Sequence, residues 1–210
     1  MEVFVDDNKV DAAFASEGTV EDALRRVQSD LCPPGRMVIR LSCNGEDIRS
    51  DAMAATLRKP ASSFERLDVF TDVKGVLVAE AMTQAATSLE QTEAECGRVA
   101  ELLTEGKIAE GVDTLGECIG AWQQIHEAVS KSIQMLELDV EKTTVNDQRL
   151  IEMISRPKEA LLQIKDALRS QDHVLLADVL QYELNDVTGQ WHAIIAELRK
   201  RAEDLSASSA

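Results

Sequence analysis

Apolar and polar positions alternate at both ends of the first seventy residues. Met1, Val3 and Val5 alternate with Glu2, Phe4 and Asp6, the period of a half-buried strand. Asp7-Asn8-Lys9 carries turn chemistry, and Val10, Ala12 and Phe14 alternate again, so the two segments read as a hairpin. Thr19 is a good helix cap, with Asp22 three residues on where Glu or Gln is usual. Val20, Leu24, Val27 and Leu31 then mark one helical face, which Pro33-Pro34-Gly35 ends. Met37, Ile39, Leu41 and Cys43 form the next alternating strand, and Asn44-Gly45 turns it into a short return strand at Glu46–Ile48. Ser50 is positioned to cap a short helix over 51–57, Pro60 stops it, and Glu65 to Thr71 makes a last strand with Leu67 and Val69 on one face.

Beyond residue 75 the period changes to that of helices. Val78, Met82, Ala85, Leu89, Thr92, Cys96, Val99 and Leu103 step by fours and threes, a heptad-like stripe. Thr104-Glu105-Gly106-Lys107 is a helix–helix turn, with Gly106 suited to a left-handed cap. A second stripe carries Ile108, Val112, Leu115, Ile119, Trp122, Ile125, Val129, Ile133 and Leu136, and fades into a loop at Glu141–Asn146. A third carries Leu150, Ile151, Ile154, Leu161, Ile164 and Leu168. Pro157 lies inside it, which predicts a kink or a restart capped by Ser155. After a turn at Ser170-Gln171-Asp172, a fourth runs from Val174 through Leu176, Val179, Leu180, Leu184, Val187, Trp191, Ile194 and Ile195 to Leu198.

The order β-β-α-β-β-(short helix)-β, with the Asn44-Gly45 return, resembles the ubiquitin-like β-grasp family over about a third of the chain. The fold class expected is therefore α+β: a β-grasp domain over 1–72, an antiparallel bundle of about four long helices over 73–205, and a flexible tail over 206–210. Modifiers and sulfur carriers of that family present a C-terminal Gly-Gly. Here Thr71-Asp72-Val73-Lys74-Gly75-Val76 runs on into helix and the chain ends Ser206-Ala207-Ser208-Ser209-Ala210, so the resemblance implies a docking or packing module. The helical half resembles flagellar export chaperones, and bacterial proteins that pair a small β domain with a bundle, through the Leu103–Lys107 turn and the Leu115-Ile119-Trp122 stripe.

Composition and charge narrow the function. Aromatics are 3% of 210 residues, so the core is aliphatic and alanine-rich. The net charge is −16, of which −5 falls through Asp72 and −11 after it, so both parts repel phosphate backbones and anionic membranes. Cys32, Cys43, Cys96 and Cys118 lack Cys-x-x-Cys spacing and read as small buried hydrophobes. The start lacks a secretory pattern and no apolar run spans a bilayer, which gives a cytoplasmic expectation.

Two candidate sites stand out. Gly111, Gly116 and Gly120 interrupt the second helix at roughly 1 kcal/mol each relative to alanine. Close packing, with Gly97 facing Gly116, is the preferred reading, and a groove that receives a partner near Trp122 is the other. Trp122 and Trp191 are read first as core anchors, with a partly exposed contact anchor as the alternative. Gly116, Gly120, Trp122 and Trp191 are thus the candidate partner-binding residues. His126, His173 and His192 lack Glu three residues earlier, so no carboxylate–histidine metal pattern is present. No phosphate loop or nucleophile elbow occurs, and no catalytic residue, metal or cofactor is assigned. The expectation is a non-enzymatic adaptor, assembly factor or chaperone-like protein with an unidentified protein partner. A homodimer through the long helices, or an enzyme using Glu183 and His192, are the alternatives.

Overall fold

The computed structural model describes residues 1–10, 18–32 and 35–208. The chain divides into two compact units: residues 1–77 with 205–210, and residues 78–204.

The first unit is built on a mixed five-stranded sheet. Its strands are β1 (Glu2–Val5), β2 (Asn8–Lys9), β3 (Arg36–Cys43), β4 (Glu46–Asp47) and β5 (Arg66–Val73), in the order β2-β1-β5-β3-β4. β1 and β5 run parallel; the other neighbours are antiparallel. Helix α1 (Val20–Arg26) continues as a π turn over Val27–Leu31, and α2 (Ser50–Leu57) leads to a 3-10 turn at Ala61–Ser63. The core joins Val3, Leu41, Cys43, Leu67 and Val69 of the sheet to Val20, Ala23 and Val27 of the helix.

Local chemistry explains the ends of these elements. Thr19 and Asp22 form a reciprocal capping box, Thr19 Oγ1 accepting the Asp22 N–H and Asp22 accepting the Thr19 N–H. Asn44 and Gly45 both take positive φ, 52° and 83°. The Asn44 side-chain oxygen also accepts the Glu65 and Arg66 N–H groups at 2.9 and 3.0 Å, tying the turn to β5.

Three expectations for this unit are corrected. The first turn is Asp6-Asp7, two left-handed residues, so the return strand is Asn8–Lys9 and comes earlier than the Val10 alternation; Ala12 and Phe14 lie outside the described residues. In β3, Val38 pairs with Thr71 and Arg40 with Phe70, leaving Ile39 as an extra bulged residue. The bulge flips the faces, so Val38 packs on the core and Ile39 is 51% exposed. Helix α2 begins at Ser50 with Arg49 in the capping position and no side-chain cap there. Of the Pro33-Pro34-Gly35 stop, the two prolines lie outside the described residues, and Gly35 takes a φ of 82°.

The long helices are α3 (Lys74–Thr104), α4 (Ile108–Met135), α5 (Leu150–Ser170) and a continuous helix made of α6 (His173–Asp178), a π turn (Val179–Glu183) and α7 (Leu184–Ser208). All eight residues of the α3 stripe are buried. Gly106, at a φ of 79°, closes the α3–α4 turn, with Gly106 N–H donating to Leu103 and Lys107 N–H to Leu102. Gln171 takes the left-handed conformation after α5, and the Asp172 side chain caps α6 by accepting the Leu175 N–H. The π turn has a geometric cause. Leu176, Leu180 and Leu184 are all buried and step by four, which drifts about 40° per step in a helix of 3.6 residues per turn. A wider π turn absorbs that drift.

Differences from the expected pattern are again local. The segment before α5 holds a two-residue hairpin, β6 (Thr144–Val145) and β7 (Gln148–Arg149), joined by left-handed Asn146 and Asp147. Helix α5 passes through Pro157 without restarting, and the Ser155 hydroxyl donates to the Glu152 carbonyl instead of capping. Val174, at the start of the fourth stripe, is 73% exposed. The last helix reaches Ser208, beyond the Leu205 limit of the expected bundle; Ser209 and Ala210 lie outside the described residues.

Candidate functional site

Helix α5 has two apolar faces. Leu150, Met153, Pro157, Ala160, Ile164 and Ala167 step by three and four and are buried against the bundle core. Three of those six are small or rigid (Pro157, Ala160, Ala167), and all point the same way. Ile154, Lys158, Leu161 and Lys165 step by four, three and four along an adjacent face, with Leu162 beside them. This second face is only partly covered: Ile154 and Leu161 are half-buried and Leu162 is 50% exposed.

Together with Trp122 and His126 of α4 and Leu184 of α7, that face lines an open groove of about 550 Å³ within the helical unit. Its walls are mainly apolar: Trp122, Ile154, Pro157, Leu161, Leu162 and Leu184. Pro157 has no amide hydrogen, so the Met153 carbonyl lacks its usual donor four residues on. Lys158 and Lys165 also line the groove, and neither forms an ion pair with a carboxylate among the described residues.

The aromatic groups behind the groove are fixed. Trp122 is nearly buried and meets Trp191 edge-on, with ring centroids 5.4 Å apart and planes at 78°. The His126 ring lies 5.6 Å from that of Trp191. Trp191 is fully buried, and its Nε1–H has no acceptor among the described residues. Trp122 therefore reaches the groove while Trp191 supports it from the core.

The glycines are placed differently from the expected pattern. A Cβ at Gly97, Gly116 or Gly120 would meet nothing within 4 Å, so close packing does not account for them, and neither Gly116 nor Gly120 lines the groove. Nothing in the structure explains Gly116 and Gly120. Gly111 is the packed one: a Cβ there would lie 3.2 Å from a Leu103 methyl. It is buried where Val112, the expected stripe residue, is exposed.

Glu183 and His192 are not brought together. Glu183 is exposed and accepts a hydrogen bond from Gln163 at 2.7 Å, whereas the His192 ring lies 3.5 Å from Glu93. Cys43, Cys96 and Cys118 are buried and Cys32 is half-buried. Cys96 and Cys118 share a thiol hydrogen bond, which together with burial pushes the Cys96 thiol up, and which by itself pulls the Cys118 thiol down. Among the described residues no group of three or more His, Cys, Asp or Glu is arranged to hold a metal ion, and no helix is long and apolar enough to cross a membrane.

Sequence reasoning identified Trp122 but missed Ile154, Pro157, Lys158, Leu161, Leu162 and Lys165 as one wall. The available signal was the adjacent Leu161-Leu162 pair between two lysines seven residues apart. An α-helix cannot bury all of those positions on a single stripe.

A family model described as a domain of unknown function, DUF8042, matches residues 80–194, and a model described as the TP0873 N-terminal domain matches residues 1–72. No curated protein and no solved structure matches the chain.

Proposed function

The chain belongs to the DUF8042 family, a domain of unknown function, and from that starting point we propose that it is a non-enzymatic protein-interaction module of the adaptor, assembly-factor or chaperone kind. Its helical unit receives a segment of a protein partner in the groove between α4, α5 and α7. The observation that carries this reading is the second apolar face of α5, which the bundle leaves open beside Trp122. Exposed contiguous apolar surface flanked by charge is a common mark of a binding site. Glu183 and His192 engage separate partners, Gln163 and Glu93, which favours binding over catalysis at that pair.

The first unit is read as a ubiquitin-like β-grasp domain that packs or docks. Support comes from its strand order β2-β1-β5-β3-β4, with a parallel pair flanked by antiparallel neighbours and a helix across one face. A sheet order alone names no partner for it.

The test is comparative co-purification from the native cell. Leu162→Glu places a charge on an exposed groove position without touching the core. Val174→Glu makes the same change at an exposed apolar residue that does not line the groove. A protein that co-purifies with the parent chain and with Val174→Glu, and is lost with Leu162→Glu, supports the reading. Equal recovery with all three removes the groove from it.

A further inference from the structure

Resting on that groove, we infer that its occupant is an amphipathic helix of a protein partner whose apolar face is flanked by acidic side chains. Three observations point to that chemistry.

The first is the shape of the site. From Ile154 to Lys165 the α5 wall extends about 16 Å at 1.5 Å per residue, three helical turns. That length suits a short helix laid alongside, engaging the wall at i, i+3, i+4 and i+7 spacing.

The second is what the walls offer. They are side chains projecting from helices whose backbone groups, the Met153 carbonyl opposite Pro157 excepted, are used within those helices, and no strand edge is present among the lining residues. An extended peptide would bring backbone N–H and C=O groups to an apolar wall that cannot pair them, and each group left unpaired is penalised by its lost hydration. A helix arrives with its backbone already hydrogen-bonded.

The third is charge. Lys158 and Lys165 stand on one wall about 10.5 Å apart along the helix axis, unpaired with any carboxylate among the described residues, on a chain with a net charge of −16. Long-range repulsion from the rest of the surface is screened beyond about 8 Å at physiological salt. At contact distance the two ammonium groups decide which helices fit: carboxylates one heptad apart are complementary, and basic residues there are opposed.

The experiment selects binders to the full chain from a displayed library of helical segments of about fourteen residues. The segments carry a fixed Leu/Ile face, with flanking positions drawn evenly from Asp, Glu, Lys, Arg and Ser. The expected winners carry Asp or Glu at two flanking positions seven apart and are lost with Leu162→Glu. They weaken roughly tenfold for each of Lys158→Glu and Lys165→Glu and recover when the opposing acid is changed to Lys. All three substitutions lie on exposed positions, and an unchanged melting temperature confirms that each variant is folded.

Winners that depend on Leu162 but show no acidic bias would overturn the inference and leave the groove reading standing. Failure to obtain any Leu162-dependent winner would overturn both. A doubled mass by light scattering that Leu162→Glu restores to about 23 kDa would make a second copy of this chain the occupant and overturn the inference. Displacement of the winners by sodium decanoate at concentrations below their own would do so in favour of an anionic amphiphile.

Discussion

In the α+β unit, side chains far apart in sequence meet through hydrogen bonds. The Asp6 carboxylate accepts both the backbone N–H and the hydroxyl of Thr71, at 2.7 and 2.6 Å, and Arg36 donates to the Thr71 hydroxyl and carbonyl at 2.7 and 2.8 Å. In the helical unit two buried threonine hydroxyls stay local: Thr92 donates to Ser88 and Thr188 to Leu184, each four residues back in its own helix. The sheet therefore has polar ties that select one register of β1 against β5. The helices are aligned by the shapes of their apolar side chains. Polar ties leave little freedom, because a partner lost from a buried polar group costs free energy at once. Apolar packing tolerates a surplus face, because an exposed leucine forfeits only the burial it would have gained. That difference explains why the open groove occurs among the helices.

The largest expected effect breaks the helical side of this comparison. Trp191→Ala removes a fully buried indole and the edge-on contact with Trp122, and is expected to lower stability by about 3–5 kcal/mol in urea unfolding. Trp191→Phe should lose distinctly less, because the indole N–H has no acceptor among the described residues. Equal losses for the two would mean that an unseen hydrogen bond anchors the indole.

A smaller effect tests the polar tie in the sheet. Asp6→Asn keeps a residue tolerant of the left-handed φ of 46° but weakens the contacts to Thr71 and Arg36, costing about 1.5 kcal/mol at neutral pH. Burial raises the Asp6 pKa, but the Thr71 hydrogen bonds and the Arg36 charge outweigh it and hold the group below its ordinary 3.8. A carboxylate depressed in the folded state contributes stability above its unfolded pKa and loses it as pH falls through the folded value. The gap between parent and variant should therefore be full at pH 7 and shrink below about pH 4, as read by melting temperature against pH. A gap independent of pH would show that the carboxylate charge is not what holds Thr71.

The smallest effect sharpens the packing contrast within α4. Gly116→Ala and Gly120→Ala should each raise stability by roughly 0.5–1 kcal/mol, since the added methyl meets open space in a helix interior. Gly111→Ala should give no gain, because its methyl presses on the buried Leu103 side chain. A loss of stability at Gly116 or Gly120 would reveal a constraint at those positions beyond packing.

The sequence by itself determined whatever is settled within a few residues. The α3 stripe from Val78 to Leu103, the Thr19–Asp22 cap, the Asn44-Gly45 turn and the Gly106 turn all appear where the pattern put them, because period, capping and left-handed tolerance are local properties. Tertiary structure alone decided the bulge at Ile39, which depends on how β3 meets β5, and the passage of α5 through Pro157, where packing against the core outweighs a missing hydrogen bond. It also decided which apolar face of α5 is covered. Leu150 and Ile164 are as hydrophobic as Ile154 and Leu161, and only the positions of α4 and α7 make the first pair core and the second a groove wall. Hydrophobicity is written in each side chain, but burial is a property of its neighbours.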